Sequence, residues 1–215
     1  MGVCALVGKV EFNAGHFLQQ SFDCVVAVDG GLSHLQTIDV VPDAVIGDFD
    51  SLGFVPDHPL VERFPEHKDE SDIELAMLWA QGQGFDTLVV YGCLGGRLDF
   101  TYAVCQLLAK FAQKGLKVFA LDNASAITAL VGGSNDTLRF SPQASGTISV
   151  FSASGKATGV IEAGLTYPLS GATLSDTEPL GVSNEFTGSP AEVSVGEGTL
   201  LVFFPVAAWN TIIAD

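Results

Sequence analysis

Asp48 and Asp50 stand two residues apart in the stretch Gly47-Asp48-Phe49-Asp50-Ser51, directly after an apolar run. Two carboxylates that close repel each other unless a cation or solvent relieves them. Further polar groups follow or precede regular segments elsewhere. Asp29-Gly30-Gly31 follows the run Cys24–Val28, and Lys68, Asp69, Ser71 and Asp72 precede a helical pattern. Gly92, Gly95, Gly96, Arg97 and Asp99 follow the run Thr87–Tyr91. Oxygen-rich clusters suit Mg²⁺, which keeps several waters and takes one or two carboxylates together with substrate phosphates. Glycines in Gly92-Cys93-Leu94-Gly95-Gly96 let backbone N–H groups approach a phosphate, with Arg97 as a fork-shaped donor. No Walker A ending follows this loop, and the GxGxxG dinucleotide fingerprint is absent. The set points to metal-assisted phosphoryl chemistry and leaves the substrate open.

Elements must bring these groups together. Apolar, β-rich runs occur at 4–7, 24–28, 44–46, 87–91 and 117–121, with a weaker one at 61–64. Helical patterns lie between them, the clearest at 71–83 and 98–113. Ser71 followed by Glu74 forms a capping box, Asp72 suits the first turn, and Ile73, Ala76, Met77 and Ala80 repeat at core spacing. Strand–helix alternation with near-continuous apolar strands predicts a mostly parallel sheet covered on both faces. In such sheets ligands bind at the carboxyl ends of the strands, where these polar groups fall. Beyond about residue 124 the texture changes to short runs, such as 147–151, 191–195 and 199–204, separated by Gly, Pro, Ser and Asn. That pattern predicts antiparallel sheets. The expected architecture is an α/β N-terminal domain with a mostly parallel sheet over 1–123, then an all-β sandwich or jelly-roll C-terminal domain over 124–215.

The chain has 215 residues, 47% of them hydrophobic, and carries 25 acids against 9 bases for a formal charge of −16. Such a surface repels a nucleic-acid backbone, so no nucleic-acid partner is expected. An anionic substrate must arrive with metal ions or meet a local basic group. Cys4, Cys24, Cys93 and Cys105 show no CxxC spacing and read as buried free thiols. No run reaches the length of a membrane span, and the N-terminus lacks a basic n-region, so a cytoplasmic protein is expected. His16, His34, His58 and His67 show no metal-ligand spacing and read as solvated or loop residues.

The ordered set VDGG (28–31), PDAVIGDFDS (42–51), KDESDIELA (68–76) and GCLGGRLDF (92–100), with GVSNEF (181–186), resembles the thiamine pyrophosphokinase family. The resemblance runs from about residue 25 to 186. It implies a nucleotide-binding catalytic domain, a β-sandwich thiamine-binding domain, and a homodimer with active sites at the subunit interface. The implied reaction is ATP plus thiamine giving AMP and thiamine diphosphate, with Mg²⁺. The thiamine hydroxyl attacks the β-phosphorus and AMP leaves.

By the same match, Asp48, Asp50 and Asp72 are the metal ligands, and Asp48, Asp50, Asp72, Arg97 and Asp99 are catalytic. Asp99 or Asp72 orients the hydroxyl or accepts its proton. Asp29, Gly30, Gly31, Ser51, Lys68, Asp69, Ser71, Gly95 and Gly96 bind the nucleotide and its phosphates. The turn Ser183-Asn184-Glu185 helps form the thiamine pocket. Thiamine is a cation, and Trp209 is one conceivable aromatic wall for it, although a packing role in the sandwich fits Trp209 better. Phe100 stands where the family has His, Val104 near its usual Asn, and Ser71 where Thr is commoner.

Two other readings compete. Asp48-Phe49-Asp50-Ser51-Leu52 superficially resembles the nucleophile motif of haloacid-dehalogenase-type phosphatases, with Asp48 as the phosphorylated residue. That motif normally follows a first strand and ends in Thr or Val, whereas this one follows the third apolar run and ends in Leu52. The other reading is a non-catalytic nucleotide- or thiamine-binding sensor, which Phe100 favours.

Overall fold

The protein is described from a computed structural model, which covers residues 2–49, 53–65, 69–142 and 144–213. It is a mixed, sheet-rich fold of two compact units. The first is Met1–Val104 with Ala120–Asn123, and the second is Cys105–Phe119 with Ala124–Asp215. The expected cut after residue 123 put Cys105–Phe119 in the first unit; the observed division gives that segment to the second.

In chain order the first half comprises β1 (Val3–Val7), α1 (Ala14–Phe17), β2 (Cys24–Val28), α2 (Gly31–Thr37), β3 (Ala44–Gly47), β4 (Val61–Arg63), α3 (Asp72–Gly82), β5 (Thr87–Tyr91), α4 (Leu98–Ala112) and β6 (Lys117–Leu121). Within the first unit the strands lie in the order β5-β1-β2-β3-β4. Every pairing along that row is parallel, with registers such as Cys4↔Cys24, Val3↔Thr87, Val26↔Ala44 and Val45↔Val61. Cys4, Ala5, Leu6 and Val7 are all fully buried, as are Ala44, Val45 and Ile46. Burial of successive residues explains why these runs read as continuously apolar instead of alternating.

The order has a consequence for the site. β2 and β5 flank β1 on opposite sides, so the chain leaves β1 and β5 at the point where the winding reverses. Crevices form at that point, outside the carboxyl ends of the strands. Ser71 caps α3 as expected, its Oγ accepting the Glu74 N–H at 3.3 Å, and Ile73, Ala76, Met77 and Ala80 form its buried face.

The second half adds β7 (Ser125–Val131), β8 (Thr137–Phe140), β9 (Thr147–Ser152), β10 (Lys156–Ala163), β11 (Leu169–Ser175), β12 (Gly181–Glu185), β13 (Ala191–Ser194) and β14 (Thr199–Pro205), closed by a 3-10 turn over Val206–Thr211. β12, β9, β14 and β7 hydrogen-bond in that order, and β11, β10, β13 and β8 form a separate sheet. All these pairings are antiparallel. Alternate residues of β9 are buried, the period-2 pattern of a strand with one covered face. Phe140 of β8 meets Phe204 of β14 edge-on at 5.3 Å and Phe186 at 4.9 Å, so aromatic rings from both sheets share a core. Trp209 packs edge-on against Phe119 at 4.9 Å, which is the packing role expected of it.

All four cysteines are buried and free. The histidines need a correction. His16 is not a solvated loop residue: it sits on α1, its Nδ1 is 3.0 Å from the Tyr91 hydroxyl, and burial lowers its pKa. Phe12, Phe17 and Phe22 surround the same tyrosine ring. His58 bridges the Leu60 and Pro42 carbonyls, which ties down the segment before β4. His67 lies outside the described residues.

Candidate active site

Four carboxyl ends of the parallel strands open onto one cavity of about 480 Å³ in the first unit. β1 contributes Gly8, Lys9 and Val10; β2 contributes Asp29; β3 contributes Asp48; β5 contributes Gly92 and, further along the loop, Gly95, Gly96 and Arg97. Glu70, Ser71 and Asp72 line it from the start of α3. That helix presents its N-terminal N–H groups and positive dipole end to the cavity, an arrangement that favours phosphate.

Backbone strain marks two of the acid-bearing turns. Asp29 has φ 48°, and Phe49, next to Asp48, is buried with φ 65°. Non-glycine residues are held in this region only where their surroundings over-determine them, and such positions cluster at functional sites. Gly95 and Gly96 also have positive φ, 79° and 67°, and a side chain at Gly95 would meet nothing within 4 Å. They are glycine for conformation, which leaves their backbone open to the cavity. Gly31 is glycine for another reason. A Cβ there would lie 1.7 Å from the Val7 carbonyl oxygen, so α2 packs directly on β1.

Charge is distributed unevenly. Asp29 is 4% exposed; its Oδ2 faces Lys9 Nζ at 3.3 Å, while Oδ1 is buried without a protein partner. A buried carboxylate oxygen in that state requires a donor or a cation. Asp48, Glu70, Ser71 and Asp72 line the same cavity, and their oxygens are of the hard type that a divalent cation takes alongside water and substrate phosphate. Among the described residues no three His, Cys, Asp or Glu side chains already form a metal-ligand group. Asp50, the expected partner of Asp48, lies outside the described residues, as do Ser51 and Lys68.

Arg97 and Asp99 are turned toward each other. Arg97 Nε donates to Asp99 Oδ1 at 3.1 Å and Nη2 to Oδ2 at 2.5 Å. The shared hydrogen bonds hold the Arg97 pKa above its ordinary value and the Asp99 carboxyl below the usual carboxylate range. Both side chains are exposed, and Arg97 lines the cavity while Asp99 does not.

The second unit has a cavity of its own, about 500 Å³, between the end of β10, the loop before β11 and the start of β12. Glu162, Tyr167, Leu180, Ser183 and Asn184 are among its walls. Asn184 falls where the β12–β9 register shifts, next to Ser183 at φ 59°. Tyr167 and Leu180 are exposed at the rim, whereas Glu162 is 1% exposed and Asn184 4%. Burial pushes the Glu162 pKa up, partly offset by the Asn184 hydrogen bond.

Of the residues expected from sequence, Asp29, Asp48, Ser71, Asp72, Gly95, Gly96 and Arg97 therefore share one cavity, and Ser183 and Asn184 line another. Gly30, Gly31, Asp69, Asp99 and Glu185 line neither. Lys9, Glu70 and Glu162 were not anticipated. Lys9 follows β1 directly and carries a rare positive charge in a chain of 9 bases, a signal available in the sequence. Glu162 is buried in phase with Val160 along β10 while the apolar Ile161 and Ala163 are exposed, the reverse of what side-chain type suggests, so the sequence carried no sign of it.

The chain matches the thiamin pyrophosphokinase catalytic domain family over residues 16–120 and the thiamin pyrophosphokinase vitamin B1 binding domain family over 136–200. It is 26% identical over 183 residues to thiamine pyrophosphokinase of Bacillus subtilis (strain 168), covering 82% of this chain and 85% of that protein. It is 27% identical over 192 residues to thiamin pyrophosphokinase 1 of Caenorhabditis elegans, covering 83% of this chain and 76% of that protein. The crystal structure of the Bacillus subtilis thiamine pyrophosphokinase superposes with a TM-score of 0.82 at 22% identity, covering 94% of this chain and 98% of that one.

Proposed function

The chain belongs to the thiamine pyrophosphokinase family, and from that premise we propose that it transfers the pyrophosphoryl group of ATP to the thiamine hydroxyl, releasing AMP. The observation that carries this reading is the gathering of Asp29, Asp48, Glu70, Asp72, Lys9 and Arg97 around one cavity. In a chain of formal charge −16, a triphosphate is held there only by local cations and a helix N-terminus.

Asp48 and Asp72, with Asp50, would hold Mg²⁺, which would supply charge neutralisation at the phosphates. Lys9 and Arg97 provide positive charge for the oxygens on which charge builds up as the β-phosphorus is attacked. The α3 N-terminus and the open backbone at Gly95-Gly96 orient the same phosphates. The substrate hydroxyl must lose a proton as its oxygen bonds to phosphorus. Asp72 faces the cavity and is the better acceptor. Asp99 is engaged by Arg97 at both oxygens, and its lowered pKa weakens it as a base. Phe100, in place of the family His, adds an apolar wall where a hydrogen-bonding ring stands in relatives.

The first unit acts as the α/β nucleotide-binding domain and the second as a β-sandwich that receives thiamine in the cavity walled by Ser183 and Asn184. A cytoplasmic homodimer with active sites at the subunit interface accompanies this reading. Among the described residues no helix is long and apolar enough to cross a membrane.

Incubating the chain with ATP, Mg²⁺ and thiamine and separating the nucleotides tests the reaction. AMP and thiamine diphosphate in equal amounts are expected. ADP as the nucleotide product would mean that a single phosphoryl group moves. Thiamine binding without any nucleotide product would leave a sensor.

A further inference from the structure

Ser183-Asn184-Glu185, expected as a turn, forms the irregular end of strand β12, and Asn184 is its member best suited by type to grip a substrate, yet its carboxamide has nothing left to offer. Nδ2 donates to Glu162 Oε2 at 2.7 Å and to the Tyr167 carbonyl at 2.8 Å. Oδ1 accepts the backbone N–H groups of Tyr167 and Glu185, both at 2.9 Å. An amide has two N–H donors and two acceptor lone pairs, and all four are used. The orientation of the amide is not arbitrary either. Two backbone N–H groups can face only the oxygen, which fixes the nitrogen toward Glu162.

Glu162 is in the opposite condition. One oxygen is held by Asn184, while Oε1 is buried and has no partner in the protein. No Lys or Arg pairs with this acid among the described residues. A buried acid with an unanswered oxygen is costly, and such sites are retained where a ligand completes them. Here the acid lines a cavity, and the rim of that cavity carries Tyr167, Leu180 and Val182, all large and exposed. The combination is an apolar mouth beside a buried carboxyl oxygen that has no protein partner. It suits a flat heteroaromatic ligand whose faces are apolar and whose edge carries an N–H donor.

We propose that Glu162 Oε1 is the substrate-recognising acceptor of this cavity, taking a hydrogen bond from an exocyclic amino group of the acceptor substrate, and that Asn184 is the strut that aims it. The proposal rests on the reading of the second unit as the thiamine-binding part. The aminopyrimidine ring of thiamine has such a group. Glu162 discriminates because an analogue carrying a carbonyl oxygen at that position turns an acceptor toward the carboxyl oxygen and leaves both unpaired.

The test compares thiamine with its 4-oxo analogue, using wild type and Glu162→Gln, by calorimetric binding and by steady-state kinetics. In wild type, thiamine should bind tighter than the oxo analogue by about tenfold or more, one lost hydrogen bond at a desolvated site. Glu162→Gln keeps an acceptor for Asn184 and the shape of the side chain. It should narrow or invert that preference, raise KM for thiamine and leave KM for ATP unchanged. A Tm no lower than that of wild type shows that the strand end is intact. The ligand pair also tests the idea in wild type alone, with no substitution.

If wild type makes thiamine diphosphate but treats the two acceptors alike, Glu162 is not the recognition acceptor and the proposed reaction stands. A Glu162→Gln enzyme that keeps the full wild-type preference overturns the inference in the same way. If wild type neither binds thiamine nor releases AMP, the functional reading fails and takes this inference with it.

Discussion

Arg97–Asp99 and Glu162–Asn184 are both contacts made by an acidic side chain, and they sit at opposite extremes of solvation. The first pair is 80% and 67% exposed, so water screens it and either partner can turn to a ligand at little cost. The second is almost wholly buried, and its geometry is set before any ligand arrives. The cavity in the first unit thus gathers several charges that remain adjustable, as suits a multiply charged substrate that brings a metal. The cavity in the second unit has a buried acceptor locked in place, as suits recognition of a single ring. On the proposed assignment, preorganisation falls where a ring is recognised and adjustable charge where phosphate is handled.

The largest effect should come from the charged cavity. Asp48→Asn removes a formal charge at the mouth of β3 and should lower kcat by about a hundredfold or more, with the Tm nearly unchanged, because Asp48 is half-buried at a loop and not in the core. Retention of wild-type turnover would remove the cation-holding role assigned to it. The second unit should respond in the opposite sense. Asn184→Ala deletes four hydrogen bonds at once and strands Glu162 Oε2 and two backbone N–H groups. A loss of about 2–4 kcal/mol in unfolding free energy is expected by urea titration at constant m-value. A loss below about 1 kcal/mol would mean that the strut is dispensable and that the contrast between the cavities is overstated.

The smallest effect is a pH slope. Burial raises the folded pKa of Glu162 above its unfolded value, so the folded state holds more protons between the two. Stability contributed by this group is therefore complete below the ordinary carboxylate range. It is lost as pH rises through the raised folded pKa. Wild type should lose stability relative to Glu162→Gln over that window, with no further change above it. A difference that is flat, or that grows in favour of wild type as pH rises, would show that Glu162 is not desolvated as described.

Local signals account for much of what the sequence made readable. The limits of β2, β5 and β6 coincide with their apolar runs, and the cap of α3 follows from Ser71 and Glu74 alone. The acids at strand ends were legible because a parallel sheet exposes those ends on one edge. The strands of the second unit were harder to see. β10 and β11 carry register shifts and glycines that interrupt alternation, so no clean period-2 run marks them. His16 was misread because its environment is made by Tyr91, far along the chain, and not by its neighbours.

The sequence by itself determined where β2, β5 and β6 lie and how α3 starts, that the chain mixes sheet with helix, and which short motifs carry carboxylates. Those properties depend on residues within a turn or a strand of one another. Only the tertiary structure decided that Lys9 faces Asp29, that Asp99 pairs with Arg97 and does not line the cavity, and that Asn184 is saturated while a Glu162 oxygen is left over. Burial and partner are made by segments distant in the chain, and whether an acid is solvated, paired or left unpaired follows from what the fold packs around it.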